Sequence, residues 1–142
     1  MIQAMRALQI HAGPRARAHL AERGLRPGDV RVIPGAAGGP KGLVLNPLDR
    51  FLFGHWLRDH PGTVHLIGAS IGAWRLATAC LPDPDAALAR MAEDYIAQRY
   101  EHAPGRRPAP GHVSAVFGAA VQRAFGGTTD AVLTHQIGRA HV

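Results

Sequence analysis

Two glycine-rich elements constrain this chain most: Gly38-Gly39-Pro40-Lys41-Gly42 and Gly68-Ala69-Ser70-Ile71-Gly72, each directly after a short apolar run. The run before the second, Thr63-Val64-His65-Leu66-Ile67, is β-branched and apolar and predicts a strand. The stretch after it, from Ile71 through Ala73, Trp74, Leu76 and Ala77 to Cys80, predicts a buried helix. Ser70 then falls at a strand-to-helix turn so sharp that its flanking positions have no room for a Cβ, which accounts for Gly68 and Gly72. Such a turn lifts the hydroxyl clear of the backbone. It also aims the amide of Ile71 and the positive end of the helix at the oxygen of an attacked carbonyl. Ser70 is the candidate nucleophile. The plain alternative is that a tight crossing, in a chain with 17 glycines among 142 residues, needs both glycines for packing alone.

The first element strengthens the chemical reading. Asp29-Val30-Arg31-Val32-Ile33-Pro34 alternates and predicts a strand, and Gly35 to Gly42 follows as a loop of minimal side chains. Backbone amides exposed in such a loop bind anions or developing oxyanions. Pro40 has no N–H, so the donors fall to Gly38, Gly39 and Lys41. Phosphate-binding loops fit less well. A Walker A loop needs glycine before the lysine and Ser or Thr after it, whereas Pro40 precedes Lys41 and Gly42 follows. The dinucleotide fingerprint fails too, since Gly35 is followed by Ala36 and Ala37.

Gly-Gly-x-Lys-Gly after one strand and Gly-x-Ser-x-Gly after the next resembles the patatin-like phospholipases, a family of lipid acyl hydrolases. The resemblance spans Val30 to Ala77. It implies an α/β fold of three layers with a mostly parallel central sheet. It also implies a Ser-Asp dyad that hydrolyses acyl lipids with no metal or organic cofactor. Ser70 would be the nucleophile, and Gly38, Gly39, Lys41 and Gly42 would form the oxyanion loop with Ile71 contributing its amide. Lys41 is the only lysine beside 15 arginines. It would steer an anionic head group or fix the loop, or else be a solvated side chain.

The base that the resemblance implies is an aspartate in Asp-Gly-Gly or Asp-Gly-Ala. None of the seven aspartates, Asp29, Asp49, Asp59, Asp83, Asp85, Asp94 and Asp130, precedes a glycine. Residues 137–142, Ile-Gly-Arg-Ala-His-Val, coincide with a translation of a common sequencing adapter, ATC GGA AGA GCA CAC GTC, whose next triplet is a stop. They are expected to be a non-native tail. Residues 1–136 are then expected to be the N-terminal part of a single patatin-like domain, its fold incomplete and its base missing. Losing a triad member costs serine enzymes on the order of 10⁴ to 10⁶ in rate, so this polypeptide is expected to be nearly inactive.

A net charge of +6 and a pI near 11 invite a nucleic-acid reading. The arginines are dispersed, however, and the only adjacent pair is Arg106-Arg107. No specific nucleic acid is expected; a general attraction to anionic membrane surfaces fits better, with an acyl lipid as substrate. The single cysteine, Cys80, excludes an internal disulfide and predicts a small core residue in a reducing, cytoplasmic setting. No apolar run reaches membrane-spanning length. The nine histidines show no metal-ligand spacing. His112 and His135 follow Ser70, which keeps an α/β-hydrolase-type Ser-His-Asp esterase open as the second enzyme reading. An acyltransferase sharing the acyl-enzyme step and a non-enzymatic basic α/β module are the others.

The rest predicts helices. Pro14 to Arg23 opens with proline and closes at Gly24, and Arg26-Pro27-Gly28 turns the chain. Leu48, Phe51, Leu52, His55 and Trp56 recur at helical spacing and are expected to cover the sheet. Asp83 and Pro84 start a helix with Leu88, Met91, Tyr95, Ile96 and Tyr100 on one face. After a loop from His102 to Gly111, Val113, Val116, Phe117, Ala120, Val121 and Phe125 make a last helix, ended by Gly126-Gly127. These two helices would line an acyl pocket or serve as plain core.

Overall fold

Proline and glycine punctuation sets where the elements begin and end. The computed structural model describes residues 10–135; the adapter-like tail at 137–142 lies outside the described residues. Helix α1, Pro14–Arg23, opens on its proline and stops at Gly24, whose φ of 69° suits glycine and whose N–H donates to the Leu20 carbonyl. A 3-10 turn, Pro27–Asp29, follows. Its Asp29 carboxylate accepts from the Arg26 N–H at 2.9 Å, and that bond, with help from His19, holds the carboxyl below its usual range.

This turn takes up Asp29, so strand β1 is Val32–Gly35 rather than the Asp29–Pro34 run that alternation predicts. Strand β2, His65–Gly68, lies parallel to it in a two-stranded sheet, with Ile33 opposite Leu66 and Gly35 opposite Gly68. Leu66 is buried on the inner face, whereas Val32 and Ile67 on the other are 49% and 54% exposed. Between the strands run a 3-10 helix, Gly39–Leu45, then α2, Asn46–Phe51, which continues into a π-helical turn, Leu52–Trp56. The loop expected over Gly35 to Gly42 is therefore helical from Gly39 onward.

Helix α3, Ile71–Thr78, leaves β2 through Ser70. Helix α4, Pro84–Ala97, is capped by the Asp83 side chain, which accepts from the Ala86 N–H at 3.1 Å. Helix α5 is Pro110–Phe125, and a short α6, Thr129–Thr134, carries no signal that the sequence reading used. The core gathers Phe53, Leu57, Val64, Leu66, Leu76, Ala79, Cys80 and Leu88. The unit is thus mixed helix and strand with a parallel pair, an α/β arrangement.

Two expected apolar faces hold in part: Leu52 and Trp56 pack against the core and Leu88 and Met91 are buried, while other members of each stripe are not. Leu48 and Phe51 are exposed, and the residues that α2 and the π turn bury are Asn46, Asp49, Phe53 and Gly54, followed by Leu57. Both polar residues are satisfied: Asn46 Nδ2 donates to the Leu88 carbonyl at 2.8 Å, and Asp49 accepts two bonds from Arg75. On α4 the buried residues are Ala87, Leu88 and Met91, while Ile96 is exposed and Tyr100 lies beyond the helix.

Candidate active site

The two glycine elements leave the same end of the parallel pair, because β1 and β2 run in one direction and end in register at Gly35 and Gly68. The ladder continues one step further, where the Ala69 N–H donates to the Gly35 carbonyl at 3.0 Å. Ser70 then takes φ 53° and ψ −127°, and among the described residues no other non-glycine residue has a positive φ. Holding an L-residue there costs on the order of 1–3 kcal/mol, a cost that persists only when the surroundings dictate the backbone. Here they do. A Cβ at Gly68 would lie 2.5 Å from Ala73 Cα, and one at Gly72 would run into the Gly35 carbonyl and lie 2.8 Å from the Ala36 oxygen. A Cβ at Gly35 would lie 2.9 Å from Leu76 Cδ1 and 3.0 Å from the Gly72 carbonyl. Gly35, which the sequence reading placed only at the start of a loop, is thus a third member of this backbone-to-backbone crossing.

Ser70 is exposed at the head of α3, ahead of the buried Ile71 and Gly72. The amide of Ile71 has no acceptor in the preceding turn, whereas Gly72 donates to the Ala69 carbonyl at 3.0 Å and Trp74 to the Ser70 carbonyl at 3.2 Å. One free donor therefore sits beside the serine at the positive end of the helix. The other glycine element approaches from the side: a Cβ on Gly42 would lie 2.7 Å from Ile71 Cγ2, so this segment packs directly on the residue after Ser70. Gly39 has φ 54°, and a 3-10 helix opening there uses the Lys41 amide in its first i→i+3 bond, leaving those of Gly38 and Gly39 outside its ladder. The Lys41 side chain is exposed.

Behind the serine, Trp74 meets Phe117 and Phe125 of α5 edge to face, at centroid distances of 5.7 and 6.2 Å. Trp74, Met91, Tyr95, Phe117, Ala120 and Ala124, together with Asp94 and Gln98, line a narrow, mostly apolar cleft that starts one turn along α3 from Ser70. Both late helices are therefore walls of one cleft.

His60 and His112 make backbone contacts. His60 is buried, its ring between the carbonyls of Gly62 and Val30 at 2.7 and 3.1 Å, and His112 accepts from the Glu101 N–H at 3.0 Å. Among the described residues no imidazole or carboxylate hydrogen-bonds the Ser70 hydroxyl, and no group of three or more His, Cys, Asp or Glu is placed to hold a metal ion. No helix among them is long and apolar enough to cross a membrane.

Cys80 lies in the core, with its Sγ–H donating to the Leu76 carbonyl at 3.4 Å, and burial pushes the thiol up to about 11. Its thiolate is therefore scarce at neutral pH. Iodoacetamide at pH 8 is expected to leave Cys80 unmodified in the folded protein and to label it fully in denaturant; equal rates in both conditions would show an accessible thiol.

No protein-family model, no curated protein and no solved structure matches the chain. The site is defined by geometry alone: a strained serine at a strand–helix elbow, a free amide beside it, and a glycine segment packed against that elbow.

Proposed function

We propose that this protein is a serine-dependent lipid acyl hydrolase of the patatin-like kind. The observation that carries the reading is the strained backbone of Ser70 at the head of α3, with the Gly39–Leu45 segment seated against Ile71. In this reading Ser70 Oγ attacks the ester carbonyl and the carbonyl π electrons move onto oxygen. The amides of Gly38, Gly39 and Ile71 stabilise that oxyanion, at a protein site where fixed dipoles count for more than in water. An aspartate base takes the serine proton and passes it to the departing alcohol, and water then hydrolyses the acyl-enzyme; the chain's seven aspartates all lie among the described residues, and none is hydrogen-bonded to Ser70. The cleft behind Trp74 has about 20 Å³ of free space and would have to widen to receive an acyl chain. The exposed Lys41 attracts an anionic head group or membrane surface. No metal or organic cofactor takes part.

A fluorophosphonate probe tests the nucleophile on protein expressed from the complete genomic reading frame. One label per chain, lost in Ser70→Ala and slowed about 10²- to 10³-fold by changes that displace an oxyanion donor, is the expected result. Labelling that survives Ser70→Ala refutes the assignment. Gly39→Ala is the matching loop variant, because a side chain at φ 54° must move the backbone that presents the amide.

A further inference from the structure

The most deeply buried ionic contact of the described residues joins the two halves of the candidate site. Arg75 Nε donates to Asp49 Oδ2 at 2.6 Å and its Nη2 to Asp49 Oδ1 at 2.7 Å, and the two side chains are 7% and 6% exposed. Arg75 lies on α3, the helix that Ser70 heads. Asp49 lies on α2, which continues without a break from the 3-10 helix opening at Gly39. Burying such a pair adds little to stability compared with apolar residues of the same volume, so its use lies in the arrangement that it fixes. A forked guanidinium–carboxylate contact defines distance and rotation together, whereas apolar packing lets two helices slide. Two further contacts complete the frame: Gly42 against Ile71, and Asn46 to the Leu88 carbonyl.

We infer that the Asp49–Arg75 pair positions the oxyanion amides of the Gly38–Gly39 segment against the Ser70 hydroxyl. Both are positioning residues, acting through α2 and α3 and touching no substrate. This inference rests on the hydrolase reading for its catalytic consequence and on the structure alone for its geometric one, so two readouts separate them. The first is turnover of a water-soluble aryl ester by protein from the complete reading frame. Arg75→Lys keeps the charge and loses the fork; kcat is expected to fall about 10- to 100-fold with KM within about twofold, as for a misplacement of about 1 Å. The double variant Asp49→Leu/Arg75→Met replaces the pair with apolar volume. It is expected to melt at or above the parent temperature and still turn over slowly. The second readout is amide hydrogen exchange at Lys41 and Gly42, whose N–H groups the 3-10 helix holds, expected to quicken about tenfold in both variants. A double variant with parental stability and parental kcat would reduce the pair to a structural contact and overturn the inference. So would unchanged exchange at those amides, whether or not the parent turns over esters. Absence of Ser70-dependent turnover in the parent, with faster exchange in the variants, would refute the hydrolase and leave the positioning intact.

Discussion

Alanine at position 72 is expected to unfold the strand–helix crossing on which the site depends. The Cβ would run into the Gly35 carbonyl and come within 2.8 Å of the Ala36 oxygen, and every one of these neighbours is backbone. No side chain can rotate away, so relief requires moving α3 off the end of β1. That movement would pull apart the Ala69-to-Gly35 hydrogen bond and the packing of Leu76 beneath it. Overpacking that forces backbone shifts costs typically about 1–3 kcal/mol, and here the lost ladder bond and core contacts take the expected loss to about 3–5 kcal/mol. Set against a typical total of about 5–15 kcal/mol, this removes a large part of the folded population. Urea unfolding followed by circular dichroism measures it. Gly118→Ala on α5 is the control, since its Cβ would meet nothing within 4 Å, and it should stabilise by about 0.5–1 kcal/mol. If Gly72→Ala unfolds at the parental midpoint, the close approach at this crossing is wrong.

The second large effect has opposite signs in two assays. Ser70→Gly removes the hydroxyl and, in protein from the complete reading frame, is expected to lower esterase turnover by about 10⁴- to 10⁶-fold, as loss of a serine nucleophile does. It also places glycine at φ 53°, ψ −127°, where an L-residue pays about 1–3 kcal/mol. Glycine's greater freedom in the unfolded chain takes back about 0.5–1 kcal/mol. A net gain near 1 kcal/mol should raise the melting temperature by about 4 °C. Ser70→Ala should lose turnover to the same extent without the gain, because alanine keeps the Cβ. A protein stabilised by deleting its most distinctive side chain is the signature of a residue held for chemistry. A Ser70→Gly protein no more stable than Ser70→Ala would mean that the strain is not stored at this residue.

The candidate site was largely legible in the sequence because glycine leaves a local trace: Gly68, Ser70 and Gly72 mark an elbow within five positions. The boundaries of α1, and the Asp83 cap of α4, were legible for the same reason, since caps and prolines act on adjacent residues. What escaped was non-local. Arg75 read as one of many dispersed arginines and Asp49 as an aspartate without a role, because the partner that makes each burial tolerable lies on another helix. The apolar stripe of Leu48 and Phe51 pointed to the wrong side for that reason: hydrophobic periodicity cannot see an inward face built on Asn46 and Asp49. Gly35 was missed likewise, its need for a missing Cβ being set by Gly72 and Leu76 far along the chain. The patatin-like reading of the whole rests on the motifs, while the geometry supplies the α/β arrangement and the parallel pair.

The parallel pairing of β1 with β2 has a consequence for how the chain comes to life on the ribosome. Antiparallel neighbours can zip from a tight turn, but these strands share a direction, so no ladder bond forms until the whole crossover between them has been made. Val32 must wait for His65, and the elbow at Ser70 gains its backing only when Leu76 has cleared the exit tunnel. Translation pauses in that interval would leave the emerging N-terminal segment without its strand partner, and this is the window in which a nascent-chain chaperone would find it.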